Sequence, residues 1–270
     1  MPHIHPTAVI DPAADLAPDV RVGPYVVIDG PARVGPGCVL RPHAQLLGRV
    51  TLGADNDVGP GTVLGGAPQH LGYKGEDTGV VIGDGNTFRE HCTVHRGMPT
   101  GNGVTTVGNG NYFMVGSHAG HDAAVGDGCI LVNGAALGGH VRLGDRALLS
   151  AYSAVHQFCR VGRLAMFSGQ AAASMDIPPF WVIREVNVVR GINAVGMRRA
   201  GIPTADIQAV RAAFKLIYLD RMPIPAAVER MDRQYAHVPA VRELAAFIRE
   251  SKRGVPGGHF YRGGDHAEAA

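Results

Sequence analysis

The chain has 270 residues, 46% of them hydrophobic and 18% charged, with a formal charge of +2 at neutral pH. That length and apolar content allow a sizeable buried core without disulfides or metals, and exclude a disordered chain. No apolar run approaches the length needed to cross a bilayer.

From Ile4 onward an aliphatic residue recurs at every sixth position: Ile4, Ile10, Leu16, Val22, Ile28, Val34, Leu40, Leu46, Leu52, Val58 and Leu64. The series resumes at Ile82, Phe88 and Val94, and again from Val107 and Phe113 through Val155, Val161 and Phe167. A period of six suits neither an amphipathic helix nor a two-sided strand, so each hexad reads as a short strand and a turn. Three hexads close a triangular coil of 18 residues. Stacked coils pair in parallel and bury the aliphatic column on the axis, which makes residues 1–183 a mainly β parallel β-helix. Glycine often follows the aliphatic residue (Gly23, Gly35, Gly53, Gly138, Gly144), and this predicts corners of positive φ. The 6% aromatic content predicts an axis too narrow for large rings.

Cys38, Cys92, Cys129 and Cys159 each stand four places after a ladder residue, a slot that often holds Ala, Ser or Thr, and so read as small core fillers. Four unpaired thiols suit a reducing cytoplasm. The repeat starts at residue 4, and no cleavable signal is expected.

Two breaks in the rhythm predict outward loops, at about 66–80 and 97–106; the second adds seven residues. After Ile183 the sixfold pattern yields to helical periodicity, with Pro178 and Pro179 at the junction. Helices are expected at about 191–200, 204–218 with Thr204 as cap, 224–235 and 239–252, which forms a C-terminal α-helical domain over 184–253. A glycine-rich tail over 254–270 is expected to be loose. Residues 1–183 carry 11 Lys/Arg against 14 Asp/Glu, whereas 184–253 carry 13 against 7. The basic helical part reads either as a solvated surface or as a dock for an acidic protein or a phosphorylated ligand. Nucleic acid is not expected, since aromatics are not interleaved with the basic residues.

Counting around the 18-residue coil with the insertion deleted places His91, His95, His118, His121, His140 and His156 within one arc of seven positions. Neutral imidazole takes a proton readily near pH 7, so one reading is a cleft holding a general base. A structural ladder of hydrogen-bonded histidines is another, and a zinc site from His118, His121 and His140 a third.

At VHRG (94–97), SHAGHD (117–122), GGH (138–140), AVHQFCRVG (154–162), DIPPF (176–180) and GINAVGMRRAG (191–201) the sequence resembles the UDP-N-acetylglucosamine 3-O-acyltransferases that begin lipid A synthesis. The resemblance spans roughly 1–250. It implies a left-handed parallel β-helix, against the usual crossover hand, assembled as a homotrimer with active sites between neighbouring prisms. It also implies transfer of a 3-hydroxyacyl chain from acyl carrier protein, where phosphopantetheine holds it, to the sugar 3-hydroxyl, with no metal and no other cofactor. By residue, the resemblance makes His121 the base, Asp122 its orienting partner and the Gly139 N–H the oxyanion donor. His118, His140 and Gln157, with His95 and His156 beside them, line the acceptor and acyl pocket. Gly169 gauges acyl length, and Asn193, Arg198 and Arg199 reach uridine or phosphate.

The first loop reads PQHLGYKGE where the family commonly has PQDLKYKGE. Gln69 is kept, His70 and Gly72 replace an acidic residue and a lysine, and Lys74 is at hand to supply the lost charge. Arg184 to Asn187 stand where a GNPA-like turn is common. These departures leave open an acyltransferase with a changed sugar nucleotide. A zinc hydratase of the hexapeptide-repeat carbonic anhydrase kind and a noncatalytic trimeric binding protein also remain as alternatives. The expected location is cytoplasmic.

Overall fold

The computed structural model describes residues 1–257. Its first 183 residues wind into three parallel sheets, each strand pairing with the strand one coil away. His3–Ile4 pairs with Arg21–Val22 and Val9–Ile10 with Val27–Ile28, the 18-residue step that three hexads require. The sheets twist into a left-handed parallel β-helix followed by helices. From the second coil on, the ladder residue of each hexad turns inward and is buried while its neighbour faces out, as Leu137 and Ala136 do.

The axis is tighter in one respect and roomier in another than the sequence suggests. Phe88, Phe113 and Phe167 are fully buried on the ladder, and the first two rings lie 4.8 Å apart. One ring per coil fits because the other two axial residues of that coil are smaller, as Val107 and Ala119 are beside Phe113. The glycines that follow ladder residues answer to close approach: a Cβ on Gly35 would fall 2.6 Å from the Gly53 carbonyl carbon of the next coil. Positive φ falls further along the corner, at residues such as Tyr25, His43, Asp122 and His140. All four cysteines are free and buried, and burial pushes the Cys159 thiol up to about 11.

Asp57 pairs with Thr87, 30 residues on, and Thr87 with Tyr112, 25 on. The two loops therefore insert 12 and 7 residues into plain coils. Both are shorter than expected, because Val63–Gly66, Gly79–Ile82 and Val104–Val107 are full strands. The loops proper cover 67–78 and 96–103. Arg96 pins the first loop: its guanidinium donates to the Tyr73 hydroxyl at 2.8 Å and to the Gly65 carbonyl at 2.8 Å.

Beyond the prism an antiparallel hairpin joins Trp181–Ile183 to Val189–Ile192. The sequence pattern did not reveal this turn, and it delays helix α1 to Ala194–Arg199. Helix α2 spans Thr204–Tyr218 with Pro203, not Thr204, at the cap position; α3 spans Ile224–Tyr235 and α4 Pro239–Arg249. Helix α4 folds back onto the third sheet, where Arg163 meets Glu243 at 2.7 Å and Arg160 donates to the Phe247 carbonyl at 2.7 Å. Val255 and Pro256, expected in the loose tail, are buried, and Tyr218 donates its hydroxyl proton to the Pro256 carbonyl at 2.8 Å. The rest of that tail, 258–270, lies outside the described residues.

Candidate active site

The corner between the second and third sheets gathers the histidines. Successive coils bring His121–Asp122, Gly139–His140 and Gln157–Phe158 to this edge, one above another. His121 Nδ1 lies 2.8 Å from Asp122 Oδ2, with the His121 side chain 13% exposed and that of Asp122 fully buried. The carboxylate also accepts the Met98 N–H on Oδ2 and the Asn102 N–H on Oδ1, each at 2.8 Å. Three donors converge on this buried carboxylate, and with two of them backbone N–H groups the third is the imidazole, which carries its proton on Nδ1. His121 Nε2 is then a free acceptor.

That nitrogen looks onto Gly139. A Cβ there would fall 2.7 Å from His121 Nε2, so a side chain at 139 would displace the ring. The Gly139 carbonyl accepts the Phe158 N–H, while its own N–H makes no hydrogen bond among the described residues. Many other corners place proline at this point, as Pro24, Pro42 and Pro60 do, and proline has no N–H to offer. A base nitrogen and an unpaired amide therefore share one edge.

The His140 ring stands edge-on to His121 at 5.1 Å and stacks on Phe158 at 4.4 Å. On the second sheet His95 and His118 pair edge-on at 5.0 Å, and Thr93 Oγ1 holds His118 Nδ1 at 2.8 Å. Burial pushes His118 down to about 4 and lowers His95 and His140, so these imidazoles are held towards the neutral state. From the first loop His70 reaches the same edge, its ring 5.7 Å from that of His121.

The structure thus assembles His70, His121, Asp122, Gly139 and His140 directly, with His95 and His118 alongside. His156 and Gln157 are exposed at the same corner, joined by the 3.2 Å contact of His156 Nδ1 with the Gln157 carbonyl. His91 keeps its place at the far end of the arc but does not share this edge: it sits at the corner between the first and second sheets, against Gly61. Gly169 also lies at that other corner, exposed. Gln69 and Lys74 are exposed on the first loop, and Arg198 and Arg199 on the last turn of α1. Asn193 caps α1: its Oδ1 accepts the Gly196 N–H at 2.8 Å and its amide donates to the Leu164 carbonyl at 2.9 Å.

The three histidines considered for zinc do not come together. His121, Asp122 and His140 bring one ligand atom each within 4.8 Å, and His118 is not among them. A cation there would compete for the carboxylate that three hydrogen bonds already occupy. Sequence reasoning missed Phe158, Met98, Asn102 and Thr105; the seven-residue insertion was the one signal pointing to the last three.

A family model described as UDP-N-acetylglucosamine O-acyltransferase, domain 2, matches residues 176–256. The chain is 46% identical over 257 residues to an acyl-(acyl-carrier-protein):UDP-N-acetylglucosamine O-acyltransferase of Akkermansia muciniphila, covering 94% of this chain and 99% of the other. It is 44% identical over 256 residues to the like-named protein of Saccharophagus degradans, with the same coverage. Among solved structures, the UDP-N-acetylglucosamine O-acyltransferase of Moraxella catarrhalis superposes with a TM-score of 0.90 at 34% identity, over 94% of this chain and 99% of that one. The Francisella novicida acyltransferase gives 0.89 at 32% identity, over 97% and 95%. With near full-length similarity and a histidine–aspartate pair facing a free amide, the chain belongs to the UDP-N-acetylglucosamine O-acyltransferase family.

Proposed function

We propose that this chain transfers a 3-hydroxyacyl group from the thioester of acyl carrier protein to the 3-hydroxyl of UDP-N-acetylglucosamine, the opening step of lipid A synthesis. The observation that carries the reading is the 2.8 Å bond between His121 Nδ1 and Asp122 Oδ2, which leaves Nε2 free beside Gly139. A sugar hydroxyl is a weak nucleophile at neutral pH, so its proton must leave as the C–O bond forms. His121 Nε2 takes that proton while the oxygen attacks the thioester carbonyl. Asp122 stabilises the imidazolium, and the Gly139 N–H donates to the oxygen that gains charge. The tetrahedral intermediate then collapses, the C–S bond breaks, and the departing thiolate recovers the proton from Nε2. This proton and acyl transfer calls for no metal and no further cofactor.

His70, His95, His118, His140, His156 and Gln157 contact the two substrates in this reading. Gly169 lies at another corner and Arg198 and Arg199 on α1, and with Gln69 and Lys74 of the first loop they complete clefts between prisms of a homotrimer in this reading. Asn193 supports the diphosphate side by anchoring α1. No helix among the described residues is long and apolar enough to cross a membrane, and the proposed setting is the cytoplasm. Purified chain mixed with 3-hydroxyacyl carrier protein and UDP-N-acetylglucosamine should release free thiol. His121→Ala should lower that release by about a thousandfold or more; a variant as active as the parent would overturn the assignment.

A further inference from the structure

The seven-residue insertion does more than decorate the prism. At an ordinary corner the residue of positive φ donates its N–H to a carbonyl one coil earlier: His43 to Pro24, Gly134 to Val115, His140 to His121 and Phe158 to Gly139. At Asp122, with φ +59, the coil before is the one that carries the insertion, and no backbone carbonyl takes this proton. The hydroxyl of Thr105 accepts it instead, at 2.8 Å. Thr105 is fully buried, on the strand that leaves the insertion. The same insertion sends the Met98 and Asn102 N–H groups to the two carboxylate oxygens. Gly101 completes the arrangement, because a Cβ there would overlap Asp122 Oδ1 and crowd His140 Cε1 at 2.7 Å.

We propose that Thr105 and Gly101 are positioning residues for the catalytic pair: Thr105 holds the backbone of Asp122 and Gly101 lets the insertion close over its carboxylate, so that His121 Nε2 keeps its aim at Gly139. Neither touches the reacting atoms. The physical basis is that a carboxylate at a left-handed corner has both a strained backbone and two acceptors to satisfy, and one inserted segment meets all three demands. The inference rests on the acyl-transfer reading above.

The test compares Thr105→Val, Thr105→Ser and Gly101→Ala in the full-length chain. Valine matches the shape of threonine but accepts no hydrogen bond; serine keeps the hydroxyl. Thr105→Val and Gly101→Ala should each lower kcat by about 10- to 100-fold, the scale of a misplacement near 1 Å, with both KM values within about twofold. Thr105→Ser should restore kcat to within about threefold. In an Asp122→Asn background, Thr105→Val should cost little more, since its effect runs through Asp122. Full kcat in Thr105→Val and Gly101→Ala, or an undiminished loss in the Asp122→Asn background, would refute positioning. If Thr105→Val does not fold, Gly101→Ala decides. Should the parent chain release no thiol, the acyl-transfer reading fails instead, and the low-field Nδ1–H resonance of His121 then tests the clamp: it should be present in the parent and lost in Gly101→Ala, and its persistence there would refute positioning.

Discussion

At the residue scale, the histidine cluster couples the site to acid stability. Imidazoles in an unfolded chain titrate near 6.5, whereas burial holds His118 at about 4 and lowers His95 and His140 in the folded prism. Between these values the unfolded chain binds more protons than the folded one, so stability is fully present above about pH 6.5 and falls as pH drops towards 4. His118 alone accounts for on the order of 3 kcal/mol by pH 4. Thermal unfolding followed from pH 7.5 to 4.5 should show a smaller fall in Tm for His118→Gln than for the parent; identical slopes would remove His118 from the account. His121 and Asp122 are legible in sequence because they are adjacent and lie in a selective motif. Thr105 is not, since nothing in a threonine 17 places upstream of Asp122 announces a missing carbonyl.

At the element scale, the loops and one polar column carry the information that a hexad count conceals. Asn56, Asn86 and Asn111 occupy the small slot of successive coils and are buried. Asn86 donates both its backbone and side-chain N–H to Asn56 Oδ1, and Asn111 repeats the pattern onto Asn86 Oδ1, all at 2.9 Å. These bonds satisfy the coils where the insertions enter. Asn86→Leu should therefore destabilise the chain by roughly 3 kcal/mol in urea unfolding, because it strands the buried Asn111 donors and takes the side-chain donor from Asn56 Oδ1; a change under about 1 kcal/mol would show the column to be dispensable. The first loop holds a second coupled pair. The Gly72 N–H donates to His70 Nδ1 at 3.0 Å, and a Cβ on Gly72 would press on that nitrogen at 3.1 Å. The two positions at which the loop departs from the common family sequence thus meet each other, as one unit that sets the imidazole against His121. His70→Ala and Gly72→Ala should each raise the KM for UDP-N-acetylglucosamine about five- to tenfold, and the double variant should be no worse than His70→Ala alone. Additive effects in that cycle would separate the two residues.

At the scale of the whole molecule, the proposed homotrimer calls for a face of the prism that another copy can cover. Val115, Tyr152 and Phe158 are exposed along the corners that flank the second sheet, whose outward residues Ala136, Ala154 and Ala172 are small. A flat face edged by apolar side chains is suited to cover by another prism. Light scattering should give a mass near three times 28.3 kDa that persists on dilution; a monomer that retains full activity would exclude shared clefts. The helical layer is tied to the prism through Arg163 and Glu243 and through Arg160, which lies over the Phe247 ring at 4.3 Å. Part of the positive charge of the helices therefore remains available outward, on Arg198 and Arg199, for anionic substrates or an acidic carrier.

The sixfold aliphatic period by itself determined the coil, its three sheets, the burial of the cysteines and the edge on which most histidines meet, because a regular repeat converts sequence distance directly into height and angle around one axis. What only the tertiary structure decided lies where that conversion fails. The hairpin after Ile183, the capping role of Asn193 and the closure of the insertion over Asp122 all depend on contacts between residues outside the repeat, whose positions no period encodes.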